Sequence, residues 1–212
     1  MPLEPKVKRA SVFFDGQNLY HAVKDAFSYT FPNFDPVKLA HGICDNKDWD
    51  VCSINFYTGV PDVTDNAFWH SFWTMKLDVL GTKGVQVFRR SLRYNNKEYT
   101  CPSGEVISIR VGNEKGIDVR LSIDAVRLAR KNEYDVCVIF SQDQDLSEVA
   151  DEIKNISIEQ NRWIKVASVF PASPIYSNRR GINGTEWLRI DRDFYDQCID
   201  PIDYRPKLTP PV

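Results

Sequence analysis

Asp15-Gly16-Gln17-Asn18 closes an apolar run, Ser11-Val12-Phe13-Phe14, and two later segments repeat the arrangement. Lys115-Gly116-Ile117-Asp118 opens a helical pattern, and Ser141-Gln142-Asp143-Gln144-Asp145 follows a second apolar run at residues 136–140. Three separated segments thus each bring a carboxylate to a place where a strand ends or a helix begins. In an open parallel α/β sheet such strand ends line the ligand crevice. Asp15, Asp118, Asp143 and Asp145 gathered there would repel one another unless protons or a cation intervene, and an all-oxygen ligand set suits Mg²⁺ or Mn²⁺. Metal-dependent phosphodiester chemistry is the expectation.

Each residue also has a plainer reading. Asp15 and Asn18 are turn and cap formers, and a helix dipole alone favours an acid at Asp143 or Asp145. That dipole accounts for one carboxylate more readily than for two. Ser141 is suited to capping or positioning and stands as a second-tier candidate. On a helix turning about 100° per residue, Ile117, Leu121, Ala125 and Leu128 form an apolar stripe, and Asp118 lies on its edge, expected to face the sheet. Asp124 lies about 120° round and roughly 9 Å along from Asp118. It is a second-tier candidate whose competing reading is a buried helix acid paired with a backbone donor or basic neighbour. Lys115, less than one turn before Asp118, can reach a phosphate held by the acids.

The elements that must position these residues alternate in type. Strands are expected at residues 10–14, 51–57, 85–88, 135–140, 164–169 and 187–190. Helices are expected at 18–27, 35–44, 63–80, 115–131, 146–155 and 193–198. This alternation predicts a parallel sheet with helices on both faces. Gly16 is expected to supply the permissive backbone of a sharp strand-to-helix turn. The rhythm breaks around residues 89–111, where two alternating runs flank Cys101-Pro102-Ser103-Gly104 and read as a β-hairpin excursion.

Basic residues form three groups: Arg89, Arg90, Arg93 and Lys97 with Tyr94 and Tyr99 on the hairpin; Arg120, Arg127 and Arg130 on one helix; and Arg179-Arg180 in a glycine-containing loop. Interleaved arginine and aromatic side chains can grip phosphates and stack on bases, although each group also reads as a solvated face. The 212 residues, 42% of them hydrophobic, can bury a substantial core, and the formal net charge of −2 provides no global basic field. Five scattered cysteines, without a Cys-x-x-Cys pair and with His21, His41 and His70 far apart, suit reduced thiols better than a disulfide frame or zinc site. No signal-like stretch or run of about 18 apolar residues occurs, so a cytoplasmic protein without membrane contact is expected. The Walker loop, the dinucleotide glycine fingerprint and the Gly-x-Ser-x-Gly elbow are absent, and Gln17 stands where a haloacid-dehalogenase phosphatase has its second aspartate.

The blocks Phe14-Asp15-Gly16-Gln17-Asn18, Glu114-Lys115-Gly116-Ile117-Asp118-Val119 with Leu121 and Asp124, and Val138 through Leu146 resemble, in order, the NYN domain family, a branch of the PIN-like nucleases. The arrangement is most similar to single-domain proteins of its LabA-like group. The resemblance covers residues 8–199, with 200–212 left as a proline-rich tail, expected to be extended. It implies a Rossmann-like (PIN-like) parallel sheet and an acidic pocket for Mg²⁺ or Mn²⁺, with RNA as substrate. Asp15, Asp118 and Asp143 would be the metal-binding acids, Asp145 would support them, and Asn18 would orient Asp15 or a water. Gln142 and Leu146 replace the usual glycine and phenylalanine of the third block. The activity implied is a metal-dependent ribonuclease, an endonuclease leaving a 5′-phosphate and a 3′-hydroxyl. Lys115 would neutralise charge on the phosphorane. A catalytically weak RNA-binding module and a phosphodiesterase for small nucleotides stay open as alternatives, as does a homodimer.

Overall fold

Val12 and Phe14 bury against one face of a sheet and Phe13 against the other. This is the two-residue alternation of a strand covered on both sides. They belong to the first strand of a computed structural model that describes residues 2–207. In chain order the elements are β1 (Lys8–Asp15), α1 (Gly16–Phe27), α2 (Pro36–Asp45), β2 (Trp49–Val60), α3 (Ala67–Thr82), β3 (Gln86–Ser91), β4 (Arg93–Thr100) and β5 (Val106–Asn113). There follow α4 (Ile117–Arg130), β6 (Val136–Phe140), a 3-10 turn (Gln144–Leu146), α5 (Ser147–Glu159), β7 (Lys165–Pro171), β8 (Glu186–Ile190) and α6 (Arg192–Gln197).

Six strands form one sheet in the order β3-β2-β1-β6-β7-β8, every neighbouring pair parallel. Leu19 and Val23 of α1, Leu39 of α2, Phe72 and Leu77 of α3 and Tyr195 of α6 cover one face. Leu121 and Ala125 of α4, with Ile153 and Ile156 of α5, cover the other. The expected α/β architecture is therefore the observed one. The chain winds outward from β1 to β3 on one side and from β6 to β8 on the other, so the winding reverses between β1 and β6. Crevices form at such a reversal, where Asp15 ends β1 and Ser141 follows the last residue of β6.

The permissive backbone expected at Gly16 is needed at a different glycine. At Gly16 the requirement is room, because an added Cβ would come within 2.8 Å of the Phe56 ring. Left-handed backbone is needed instead at Gly116, whose φ of 73° leads into α4. Helix α3 begins at Ala67 and not at 63, because Asp62 turns the chain by accepting from the backbone N–H and hydroxyl of Thr64. Asn66 then caps the helix by accepting from the Trp69 N–H at 3.1 Å.

β4 and β5 form a separate antiparallel hairpin, in register from Arg93 opposite Asn113 to Thr100 opposite Val106. Arg89 and Arg90 belong to β3, the edge strand beside β2, and not to the hairpin. The first residues of the tail expected to be extended pack against the body, with Asp200 and Tyr204 buried beside α3. The last five residues of that proline-rich tail, 208–212, lie outside the described residues. No helix among the described residues is long and apolar enough to cross a membrane.

Candidate active site

The last residue of β1 is at once the cap of α1. The Asp15 carboxylate accepts from the Asn18 backbone N–H at 3.1 Å and from the Ser141 hydroxyl at 3.2 Å, and the residue is only 7% exposed. Burial pushes its pKa up to about 6; the two hydrogen bonds oppose this, and the nearby charges of Asp143 and Asp118 add to it. Ser141 also accepts from the Asp143 N–H at 3.1 Å, so one hydroxyl links two of the acids. Asn18 reaches Asp15 through its backbone N–H, while its side-chain oxygen accepts from the Gln142 N–H at 2.9 Å and ties α1 to the turn after β6.

Asp15, Asp118 and Asp143 line one cavity of about 310 Å³, together with Gln17, Asn18, His21, Glu114 and Ile117. Asp118 is exposed at the start of α4, standing at the cavity rim and not turned into the sheet. Glu114 is a fourth carboxylate that the spacing argument missed. Its side chain accepts from the Gly59 N–H in β2, and burial, assisted by Asp15 and Asp118, pushes its pKa up to about 7. Its signal in the sequence was its place at the end of an alternating run, four residues before a first-turn acid. Four carboxylates lining one cavity form an all-oxygen donor set suited to a hard cation. Among the described residues, no three histidine, cysteine or acidic side chains stand close enough to hold one ion together. Such a cluster fits Mg²⁺, which usually keeps several waters and takes one or two carboxylates plus substrate phosphate.

Other candidates stand elsewhere. Asp145 is exposed and lines a separate groove between α4 and α5, because Asp143 accepts from its N–H and the 3-10 turn carries its side chain away. Asp124 is a buried structural acid, bonded to the Tyr57 hydroxyl at 3.1 Å, Arg120 at 2.7 Å and Arg127 at 2.9 Å. That arrangement commits Arg120, whose guanidinium also lies over Phe88, to the fold and not to phosphate. Arg130 is paired with Glu152 and Glu159. Arg89 pairs with Asp78, and Arg90 donates to the Lys115 carbonyl. Lys115, Arg93 and Lys97 are exposed, and the lining of the acid cavity includes no lysine or arginine.

Arg179 and Arg180 ride on a loop that two glutamines fasten. The Gln142 amide donates to the carbonyls of Asn178 and Arg180 at 3.3 and 2.8 Å, and accepts from the Tyr176 hydroxyl at 2.9 Å. Gln144 donates to the Gly181 carbonyl at 3.0 Å and accepts from the Asn183 N–H at 3.2 Å. The turn that presents Asp143 thereby also fixes the arginine loop.

A family profile described as the NYN domain matches residues 9–164. No curated protein matches the chain. Among solved structures, that of a protein of unknown function from Vibrio parahaemolyticus superposes with a TM-score of 0.53 at 18% identity, covering 91% of this chain and 99% of that one, a likeness of fold. MurG of Acinetobacter baumannii gives a TM-score of 0.34 at 10% identity, over 86% of this chain and 45% of that one, too low for any argument.

Proposed function

The chain belongs to the NYN domain family, and from that premise we propose that it is a metal-dependent nuclease cleaving RNA phosphodiesters, as an endonuclease. The observation that carries this reading is the convergence of Asp15, Asp118, Asp143 and Glu114 on one cavity at the β1/β6 reversal. In this reading Mg²⁺ or Mn²⁺ would be held among Asp15, Asp118 and Asp143, directly by one or two of them and through its own waters by the rest, with Glu114 beside them. When bound, such an ion supplies Lewis-acid polarisation of the scissile phosphate.

The chain's own residues do the rest. Ser141 and the Asn18 N–H hold the Asp15 carboxylate in one orientation. Glu114, which is not among the ion's ligands in this reading and is raised to about 7 by burial, is the group able to accept a proton from an attacking water near physiological pH. Lys115, exposed one residue before Gly116, can swing toward the phosphate as charge builds there.

The test is cleavage of single-stranded RNA, structured RNA and DNA in parallel, with Mg²⁺, Mn²⁺ or EDTA. RNA cleavage that needs the metal and disappears in Asp143→Asn is the expected result. Full activity in EDTA, or in that variant, would defeat the assignment. A second reading, a phosphodiesterase for small nucleotides, is favoured by one observation: the cavity lining lacks the lysine and arginine that would track a long phosphate backbone. Hydrolysis of dinucleotides but not of longer RNA would select it.

A further inference from the structure

A second cavity, of about 170 Å³, opens beside the acid cavity and shares Gln17 and His21 with it. Its remaining walls are Tyr20, Pro32, Pro61, Trp69 and Trp73. Helix α1 dictates the adjacency: Asp15 caps it, and Gln17, Tyr20 and His21 follow within about a turn and a half, putting the aromatic wall roughly 8 Å along the axis from the acid. Helix α3 supplies the opposite side, with Trp69 in its first turn and Trp73 four residues on, stacked along the same face.

Trp73 is buried at the floor, whereas Tyr20 and Trp69 are half-buried, their ring centroids 6.3 Å apart and the planes inclined at 50°. The Tyr20 hydroxyl donates to the Thr30 carbonyl at 2.9 Å, which fixes that ring. The exposed His21 imidazole lies 5.2 Å from the Tyr20 ring, at the junction of the two cavities.

Flat apolar walls with a polar mouth are the chemistry that holds an unstacked base: every base has a π face to stack, and the Gln17 amide brings both a donor and an acceptor to a base edge. We propose that this cavity is a nucleobase subsite, which takes the base of one unpaired nucleotide whose phosphate lies against the acid cavity. The assignment rests on the nuclease reading above for its phosphate and on the aromatic walls for its base. It makes the substrate an unpaired strand, because the cavity has room for one planar base and not for a pair.

The probes are AMP and UMP set against ribose 5-phosphate, which carries the same phosphate without a base, titrated into the full chain in Mg²⁺. Base stacking of about 1–3 kcal/mol corresponds to a preference for the nucleotide of roughly 5- to 150-fold. Trp69→Ala is expected to erase that preference and leave ribose 5-phosphate binding as it was, and Trp69→Phe to retain most of it. Trp69→Leu keeps apolar volume and replaces the alanine variant if that one does not fold. Gln17→Ala is expected to change the ratio of AMP to UMP affinity.

Nucleotides that bind no more tightly than ribose 5-phosphate in the wild-type protein, binding of neither included, overturn the subsite. So does a preference that survives Trp69→Ala or Trp69→Leu. Failure of the nuclease reading shows separately, as RNA left intact by a protein that still prefers AMP to ribose 5-phosphate.

Discussion

Asp15 sits folded at a cost that pH reveals. Its carboxyl is raised to about 6 by burial, with Asp143 and Asp118 contributing, against an ordinary value near 3.9 in an unfolded chain. Below about pH 4 both states are protonated; as pH rises from there to about 6 the unfolded chain releases the proton first, so the folded state loses stability across that window. Glu114, raised to about 7, acts in the same direction at slightly higher pH. Asp15→Asn is therefore expected to raise stability in EDTA at pH 8 by about 1–3 kcal/mol and to do little at pH 4. Calorimetry at the two pH values checks it, and an equal loss at both would mean that the carboxylate's hydrogen bonds outweigh its charge. Asp15 and Asp143 were legible from strand-end placement alone. Glu114 was not, because its part in the cavity depends on β2 passing Gly59 alongside it, a contact 55 residues away in sequence.

At the scale of elements, the turn after β6 presents Asp143 and fastens the loop carrying Arg179 and Arg180. Gln142 makes three of the side-chain bonds in that fastening. Gln142→Gly is expected to increase amide exchange in residues 176–183 by tenfold or more, since each bond is worth about 1 kcal/mol, while the β1 and β6 amides stay protected. Unchanged exchange in the loop would show that Gln144 and the β7–β8 packing suffice. Strands and helices of the sheet were readable from apolar periodicity, with ends displaced by a few residues. Side-chain partnerships were legible only in part: the reading of Asp124 as a buried acid paired with a basic neighbour fits Arg120 and Arg127, but a helical wheel does not reveal the Tyr57 hydroxyl reaching across from β2. The hairpin's existence was legible, but β3 extends to Ser91 and takes Arg89 and Arg90 into the sheet edge.

The molecule as a whole is closed by a buried lysine. Lys76 of α3, fully enclosed, donates to the Phe34 carbonyl at 2.6 Å, lies 3.5 Å from Asp200, and sits over the rings of Phe34 and Tyr204 at 5.3 and 5.1 Å. Burial lowers its pKa to about 8, with Asp200 resisting. Lys76→Ala leaves Asp200 uncompensated and is expected to cost about 3–5 kcal/mol in denaturant unfolding, whereas Lys76→Met combined with Asp200→Asn should cost far less. Similar losses in both would assign the effect to packing alone. The order of the sheet has a consequence in time. β1 leaves the ribosome well before β6, yet Ala10 faces Val136, and the hydroxyl that holds Asp15 lies 126 residues downstream. Contacts that span so much chain close late. A polypeptide still being synthesised, tethered to the very RNA that encodes it, therefore carries Asp15 without an assembled acid cavity until β6 and the turn after it have emerged.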